Sequence, residues 1–474
     1  MQRLKTTASC PSCGAPFELL EGANVARCPY CNLPLLFQSP DGILRYYLKP
    51  KVERRSISFL ADRSRKSEGK SLPRRTDKAT LFYLPFWRFT AQAFYTMVSR
   101  PQLSSAPPEA DEEPETHEVL AKDWDVNLAG HTSDDLGIAT LGMRPDWLNL
   151  AILTDAAHLK QKAEVLSLEV DSSAARQKAV DSLEFQLQGK MAPEDELAMR
   201  LIEERLSLIY FPLWTVDFVA PEGKFFCVID AITGRSLKQD PGIFEQMKSR
   251  SSGLDAFPPP RIVPHHCPNC GWDLPVTPFH VVFSCTNCGR MWKIHQDGYA
   301  EVKGQIARVK EDAGLEPTGA LTYYPFWVFE AGLQQWTRSS IQEVFELLPS
   351  EIGLFNVANK SRPFTFHIPA FEMANLKKVA DVGLAYLRTQ PEFDTMQVRT
   401  ENLKGVLISE DDAKKIAELL WLRLISRRAN LDPDKWKQLR LTCTGIVWCP
   451  CRKEGTFLRD TVIGYSFQKV ESEA

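Results

Sequence analysis

Eight of the chain's twelve cysteines stand in four C-x-x-C pairs, and the pairs are themselves paired. Cys10 and Cys13 are followed after fourteen residues by Cys28 and Cys31, and Cys267 and Cys270 after fourteen residues by Cys285 and Cys288. Thiolates are the ligands Zn2+ takes at tetrahedral corners about 2.3 Å away, and a C-x-x-C turn delivers two sulfurs to one point. Gly14, Asn32, Gly271 and Gly289 come directly after the second cysteine of each pair, residue types that accept the left-handed backbone of a tight turn. Each quartet therefore predicts a closed site for one structural Zn2+, because four protein ligands leave no position for water or substrate. Rubredoxin-like iron shares the ligand set and redox dithiols share the C-x-x-C spacing. The former separates its knuckles by a longer stretch, and the latter opens a helix after a strand with no second pair following.

The other four cysteines have different surroundings. Cys443, Cys449 and Cys451 are read either as a third chelating cluster or as small buried hydrophobes near a strand; the matching segment around Trp214 has no cysteine, which favours burial. Cys227, alone in an apolar strand, is expected in the core. His265 and His266 directly precede Cys267, have no equivalent in the first quartet, and are expected on the surface rather than on a metal. No H-E-x-x-H, G-x-S-x-G or G-x-G-x-x-G occurs, so no catalytic residue is expected and the protein is read as a non-enzyme.

The elements around the quartets recur too. Tyr83-Leu84-Pro85-Phe86-Trp87 is answered by Tyr323-Tyr324-Pro325-Phe326-Trp327, and 157–166 by 374–383, in the same order after each quartet. So long a period predicts a duplicated domain rather than a solenoid. The expected fold class is α+β, with two rubredoxin-like zinc ribbons each followed by a mixed sheet-and-helix lobe. The first ribbon spans 1–48 and its lobe 49–247; a linker at 248–261 leads to the second ribbon, 262–303, and its lobe, 304–474. Residues 193–210 and 410–428 are expected as helices and 224–234 as a strand ending in a hairpin turn. The aromatic motifs are expected to pack in the lobe cores. Segment 99–118, dense in proline and carboxylates, is expected as a mobile acidic loop.

At 474 residues, with 44% hydrophobic and 25% charged residues, the composition is that of a multidomain globular protein. No apolar run reaches the ~20 residues of a spanning helix, no leader is evident at the start, and a cytoplasmic location is expected. The formal charge is -3; eight thiolates with two Zn2+ would take it to about -7, which opposes general affinity for nucleic acid. One basic run, 51–78, holds ten Lys and Arg against four acids and is either a solvated loop or a contact for phosphates or an acidic surface.

The C-P-x-C-G turns, the Y-x-P-F-W motifs, and a P-x-W strand followed by an aromatic strand ending in Asp230-Ala231-Ile232-Thr233-Gly234 together resemble a group of bacterial and archaeal zinc-ribbon proteins of unknown function. The resemblance spans most of the chain; at the end of the second half Val462-Ile463-Gly464 departs from it. The expectation is a zinc-binding scaffold or adaptor for a protein partner, with two structural Zn2+ ions. The alternative is a nucleic-acid-binding protein that uses the basic 51–78 segment.

Overall fold

The computed structural model describes residues 5–67, 75–99, 119–131, 149–155, 163–189, 195–220, 223–238, 257–295, 298–308, 321–333, 340–346, 359–373, 376–397, 402–425 and 439–468, with single positions 159, 161, 249 and 357. The acidic segment after Ser99 and most of the expected linker lie outside these residues. The fold is mixed, mostly strands with few helices. It divides into two compact units, one made of Met1–Thr90, Trp124–Glu184 and Arg205–His265, the other of Ala91–Asp123, Phe185–Glu204 and His266–Ala474.

In the first unit, Leu44–Leu48 runs parallel to Asp195–Ala220, with Ser207 opposite Leu44 and Tyr210 opposite Tyr47. Gly223–Asp230 pairs antiparallel on its other side. Residues 195–210 are thus strand, which corrects the helix expected at 193–210. The physical reason is burial on two faces: Ile209, Phe211 and Leu213 enter one core with Phe82, Leu84 and Phe86, while Leu208 and Tyr210 enter another with Tyr83 and Trp87. A helix would bury one stripe of this segment, whereas a central strand buries both of its alternating faces. Helices of this half lie at Ile57–Ser67, inside the basic run for which a loop was expected, and at Ser172–Gln188, where Asp171 Oδ1 accepts the Ala174 N–H at 2.8 Å as an N-cap.

In the second unit, a seven-stranded sheet runs Thr365–Pro369, Thr322–Leu333, Leu439–Glu454, Gly304–Ala307, Thr395–Gln397, with Phe457–Asp460 also paired to Leu439–Glu454 and Ser466–Gln468 paired to Phe457–Asp460. Helices Leu376–Thr389 and Glu410–Ile425 cover it. The second is the helix expected at 410–428, as far as the described residues go. Ser409 Oγ accepts the Asp412 N–H at 3.1 Å, and Ala413, Ile416, Ala417, Leu420 and Leu424 form the buried stripe.

Local contacts recur at matched positions. The indole of Trp87 donates to Val170 O at 2.8 Å and that of Trp327 to Ile408 O at 2.8 Å, each acceptor two residues before its helix begins. The N–H of Gly130 donates to Pro85 O and that of Ala370 to Pro325 O, both at 2.9 Å. Phe86, Trp87, Phe326 and Trp327 are buried, as the aromatic motifs predict.

Candidate metal centres

Each C-x-x-C pair caps a turn whose backbone is fixed before any metal is considered. In the first, the Cys10 N–H donates to Ala15 O at 3.0 Å and the Gly14 N–H to Cys10 O at 2.9 Å. The same two bonds recur from Cys28 to Leu33 and Asn32, from Cys267 to Trp272 and Gly271, and from Cys285 to Arg290 and Gly289. The closing residue is left-handed every time, at φ 73° for Gly14, 61° for Asn32, 73° for Gly271 and 72° for Gly289. A Cβ at Gly14, Gly271 or Gly289 would meet nothing within 4 Å, so the glycines serve the backbone angle rather than a close approach.

Antiparallel strands bring two such tips together. Lys5–Ser9 with Pro16–Leu20, and Val25–Arg27 with Pro34–Gln38, carry the first quartet; Val282–Ser284 with Met291–His295 carries half of the second, and a bridge between His266 and Asp273 carries the rest. Cys10 Sγ lies 3.6 Å from Cys31 Sγ, and Cys13 Sγ lies 3.8 Å from Cys28 Sγ. Cys267 Sγ lies 3.6 Å from Cys288 Sγ, and Cys270 Sγ lies 3.5 Å from Cys285 Sγ. All four sulfurs of each quartet fall within 4.8 Å of one another. A tetrahedral ion with metal–sulfur bonds of about 2.3 Å sets its sulfurs about 3.8 Å apart, so both quartets fit one four-coordinate ion. The eight predicted ligands are brought together as two groups of four.

The thiols are not equivalent. The Cys31 backbone N–H draws the Cys28 thiol down to about 7, and the Asn287 side chain draws Cys270 down to about 6, while burial pushes Cys285 up to about 12. Four adjacent thiolates require a cation to offset their mutual repulsion.

Behind the first quartet, Phe17 and Phe37 pack with ring centroids 6.2 Å apart, and Ala8 and Leu35 complete the apolar backing. Arg261–Pro264 adds a third strand against Pro34–Gln38, so residues at the end of the expected linker and the start of the second ribbon pair with the strand that follows Cys31. The buried Arg88 guanidinium pairs with Asp125, at 2.8 Å and 3.1 Å, and with Glu21, one residue past Pro16–Leu20. Its counterpart in the second half is Val328. There the link is Lys293 Nζ to Glu410 Oε2 at 2.5 Å, from the hairpin to the start of the helix Glu410–Ile425. The Arg88 pairing escaped the sequence reading, although the charged-for-apolar mismatch inside otherwise matching motifs was its visible signal.

His265 is buried, which corrects the expectation that both histidines lie at the surface: its N–H donates to Pro34 O at 2.9 Å, carrying on the strand pairing of Arg261–Pro264. His266 is partly exposed and its Nε2 lies 3.1 Å from Asp273 Oδ1. Cys449 and Cys451 are buried beside Phe326, Tyr386 and Phe467, and Cys443 lies against a different core. The register explains the first two. Cys451 faces Asp460 as Leu213 faces Asp230, so Cys449 and Cys451 stand where the first half has Phe211 and Leu213. Cys227 is buried in its strand. Of the basic run, Arg54, Arg55, Arg63 and Lys66 are exposed, and 68–74 lie outside the described residues. No helix among the described residues is long and apolar enough to cross a membrane.

The sequence matches no protein-family model, and comparison with curated proteins and with solved structures likewise gives no match.

Proposed function

We propose that the protein is a non-enzymatic zinc-binding scaffold or adaptor that engages a protein partner in the cytoplasm. In this reading it is built from two copies of one module, a rubredoxin-like ribbon followed by a sheet-and-helix lobe, as in the zinc-ribbon group it resembles. The carrying observation is the closed geometry of the two quartets: four sulfurs at tetrahedral spacing give an ion a complete shell, which suits tying two hairpin tips together and leaves no position for a substrate. Zn2+ is the ion that the all-sulfur set favours in a closed structural site. The matched tryptophan hydrogen bonds support the two-module reading. Exposed aromatics at the tips, Tyr30 at 69% and Trp272 at 57%, offer contact surface of the kind partners use. Two modules on one chain make the scaffold bivalent, and avidity rises by ~10²–10⁴ when both faces engage.

The exposed Arg54, Arg55, Arg63 and Lys66 favour one competing reading, contact with a nucleic-acid backbone. Crosslinked affinity purification from native cells, with and without nuclease, separates the two. The adaptor reading expects one or a few proteins recovered regardless of nuclease. Abundant crosslinked nucleic acid, with binding that weakens steeply as salt rises, would replace it with the competing one.

A further inference from the structure

The two ribbons differ in where each finds its third strand. In the second, Met291–His295 pairs on one side with Val282–Ser284 and on the other with Gly298–Val302, the next segment of the chain. In the first, the chain turns after Pro34–Gln38, with the Gly42 N–H donating to Ser39 O at 3.0 Å, and goes straight on to Leu44–Leu48 beside Asp195–Ala220. The place beside Pro34–Gln38 is taken instead by Arg261–Pro264, from the far end of the first unit's sequence.

The replacement matches position by position. Pro34 and Met291 each follow the last cysteine of their quartet by three residues. Counted from there, Ile262 stands opposite Phe37 as Tyr299 stands opposite Ile294, and Val263 opposite Leu36 as Ala300 opposite Lys293. The His265 N–H meets Pro34 O at 2.9 Å where Val302 pairs with Met291. Exposure follows the same order: His265 and Val302 are buried, Pro264 and Glu301 exposed. Bonded and non-bonded pairs alternate along an antiparallel ladder. The bond at His265 therefore places Val263 in a bonded pair with Leu36, and puts Pro264, which has no N–H to give, in a non-bonded one. Ile262 packs on the apolar backing that includes Cys10 and Cys28.

Building on the four-thiolate metal reading above, we propose that 261–265 is a donated strand that completes the first ribbon and positions its metal site, so that docking of this segment and retention of the first ion support each other. Without the segment, the edge of Pro34–Gln38 would leave the Leu36 N–H and C=O without their strand partner. Metal binding to a ribbon is linked to its folding free energy, so what the strand contributes to the fold appears as affinity, and by reciprocity the ion contributes to strand docking. The donated strand ends two residues before Cys267, so the first metal site is held by the segment that leads into the second quartet.

The test uses the full chain loaded with two equivalents of Zn2+. Val263→Pro removes the N–H that pairs with Leu36, while Val263→Ala keeps it. Under excess chelator and iodoacetamide, mass spectrometry of peptides assigns alkylation to each cysteine over time. Val263→Pro should speed alkylation of Cys10, Cys13, Cys28 and Cys31 about tenfold, the factor that one net backbone hydrogen bond represents, and leave the second quartet unchanged. Val263→Ala should stay close to the wild type. Reciprocally, Cys13→Ser should raise amide exchange at Val263 and His265 about tenfold or more while Gly298–Val302 keeps its protection. A first-quartet rate unchanged by Val263→Pro, equal acceleration at both quartets, or exchange at Val263 and His265 indifferent to Cys13→Ser would overturn this inference while leaving the metal reading standing. A chain that binds no metal would overturn both.

Discussion

Among the described residues, six turns share one backbone, and four of these carry cysteine pairs. At Asp230 and Asp460 the N–H of the first residue donates to the carbonyl five residues on, at Arg235 and Tyr465, and the N–H of Gly234 or Gly464 donates back to the aspartate carbonyl. Gly234 and Gly464 close these turns at φ 74° and 72°, like the glycines of the cysteine turns. The side chains differ in where they look for partners. Asp230 Oδ1 accepts the Ile232 N–H at 2.7 Å and its Oδ2 accepts the Thr233 hydroxyl at 2.7 Å, so the turn satisfies itself. Asp460 Oδ1 accepts the Val462 N–H at 2.7 Å and its Oδ2 accepts the Tyr386 hydroxyl from the neighbouring helix. The cysteine turns instead point both sulfurs at a second turn. Hairpin closure is therefore a local property of backbone hydrogen bonds and a left-handed residue, whereas joining two tips is a long-range task that sulfur and an ion perform.

The largest effect should come from cutting that long-range link. Cys13→Ser or Cys270→Ser should each remove one of two bound metals, whose binding energy is on the order of 10 kcal/mol in small zinc domains. Metal analysis should then read one equivalent, and amide exchange should lose protection at the affected tips but not at 230–234 or 460–464. Equal loss at all six turns would mean that the aspartate turns also depend on metal.

Next in size are the matched tryptophans. Trp87→Ala and Trp327→Ala each delete a buried indole and strand a carbonyl before a helix, which should cost about 3–5 kcal/mol in denaturant unfolding, with similar losses for both. Very different losses would separate the two halves energetically.

A smaller effect distinguishes the aspartate turns. Burial pushes the Asp460 carboxyl up to about 6, above the ordinary carboxylate range. The neutral acid is the form the fold favours, so this contribution is fully present below pH ~4 and is lost as pH rises through about 6. Tyr386, Cys449 and Cys451 surround the group and supply no cation. Relative to Asp460→Asn, the wild type should lose up to roughly 3 kcal/mol between pH ~4 and ~7. A constant difference across that range would show that the carboxylate is not desolvated.

The smallest change tests the shared backbone itself. Gly464→Ala meets no neighbour within 4 Å, so its expected cost of about 1 kcal/mol is purely that of a left-handed alanine. Gly271→Ala should pay the same conformational penalty and show it additionally as weaker metal binding. If only the metal-site variant is destabilised, the turns are less alike than their hydrogen bonds indicate.

Much of this was legible in the sequence because it depends on short-range spacing. C-x-x-C-G names its own turn, and the fourteen-residue interval places a second turn within reach. The N-cap and apolar stripe of 410–425 are likewise local. The strand Asp195–Ala220 was misread because its apolar residues satisfy a helical stripe as well as an alternating one, and what decides between them is the parallel pairing with Leu44–Leu48, about 160 residues away in the chain. The kinship of Asp460–Gly464 with Asp230–Gly234 was hidden because the intervening residues are unrelated and only Asp and Gly carry the turn. Arg88 was missed because its partners, Glu21 and Asp125, come from distant parts of the chain.

The most direct measurement is X-ray absorption at the zinc edge on the full chain isolated without added metal, together with the metal-to-protein ratio. The account predicts two zinc ions per chain in a shell of four sulfurs at about 2.3 Å. A shell containing nitrogen or oxygen, or a chain purified with intact cysteine thiols and no metal, would contradict it.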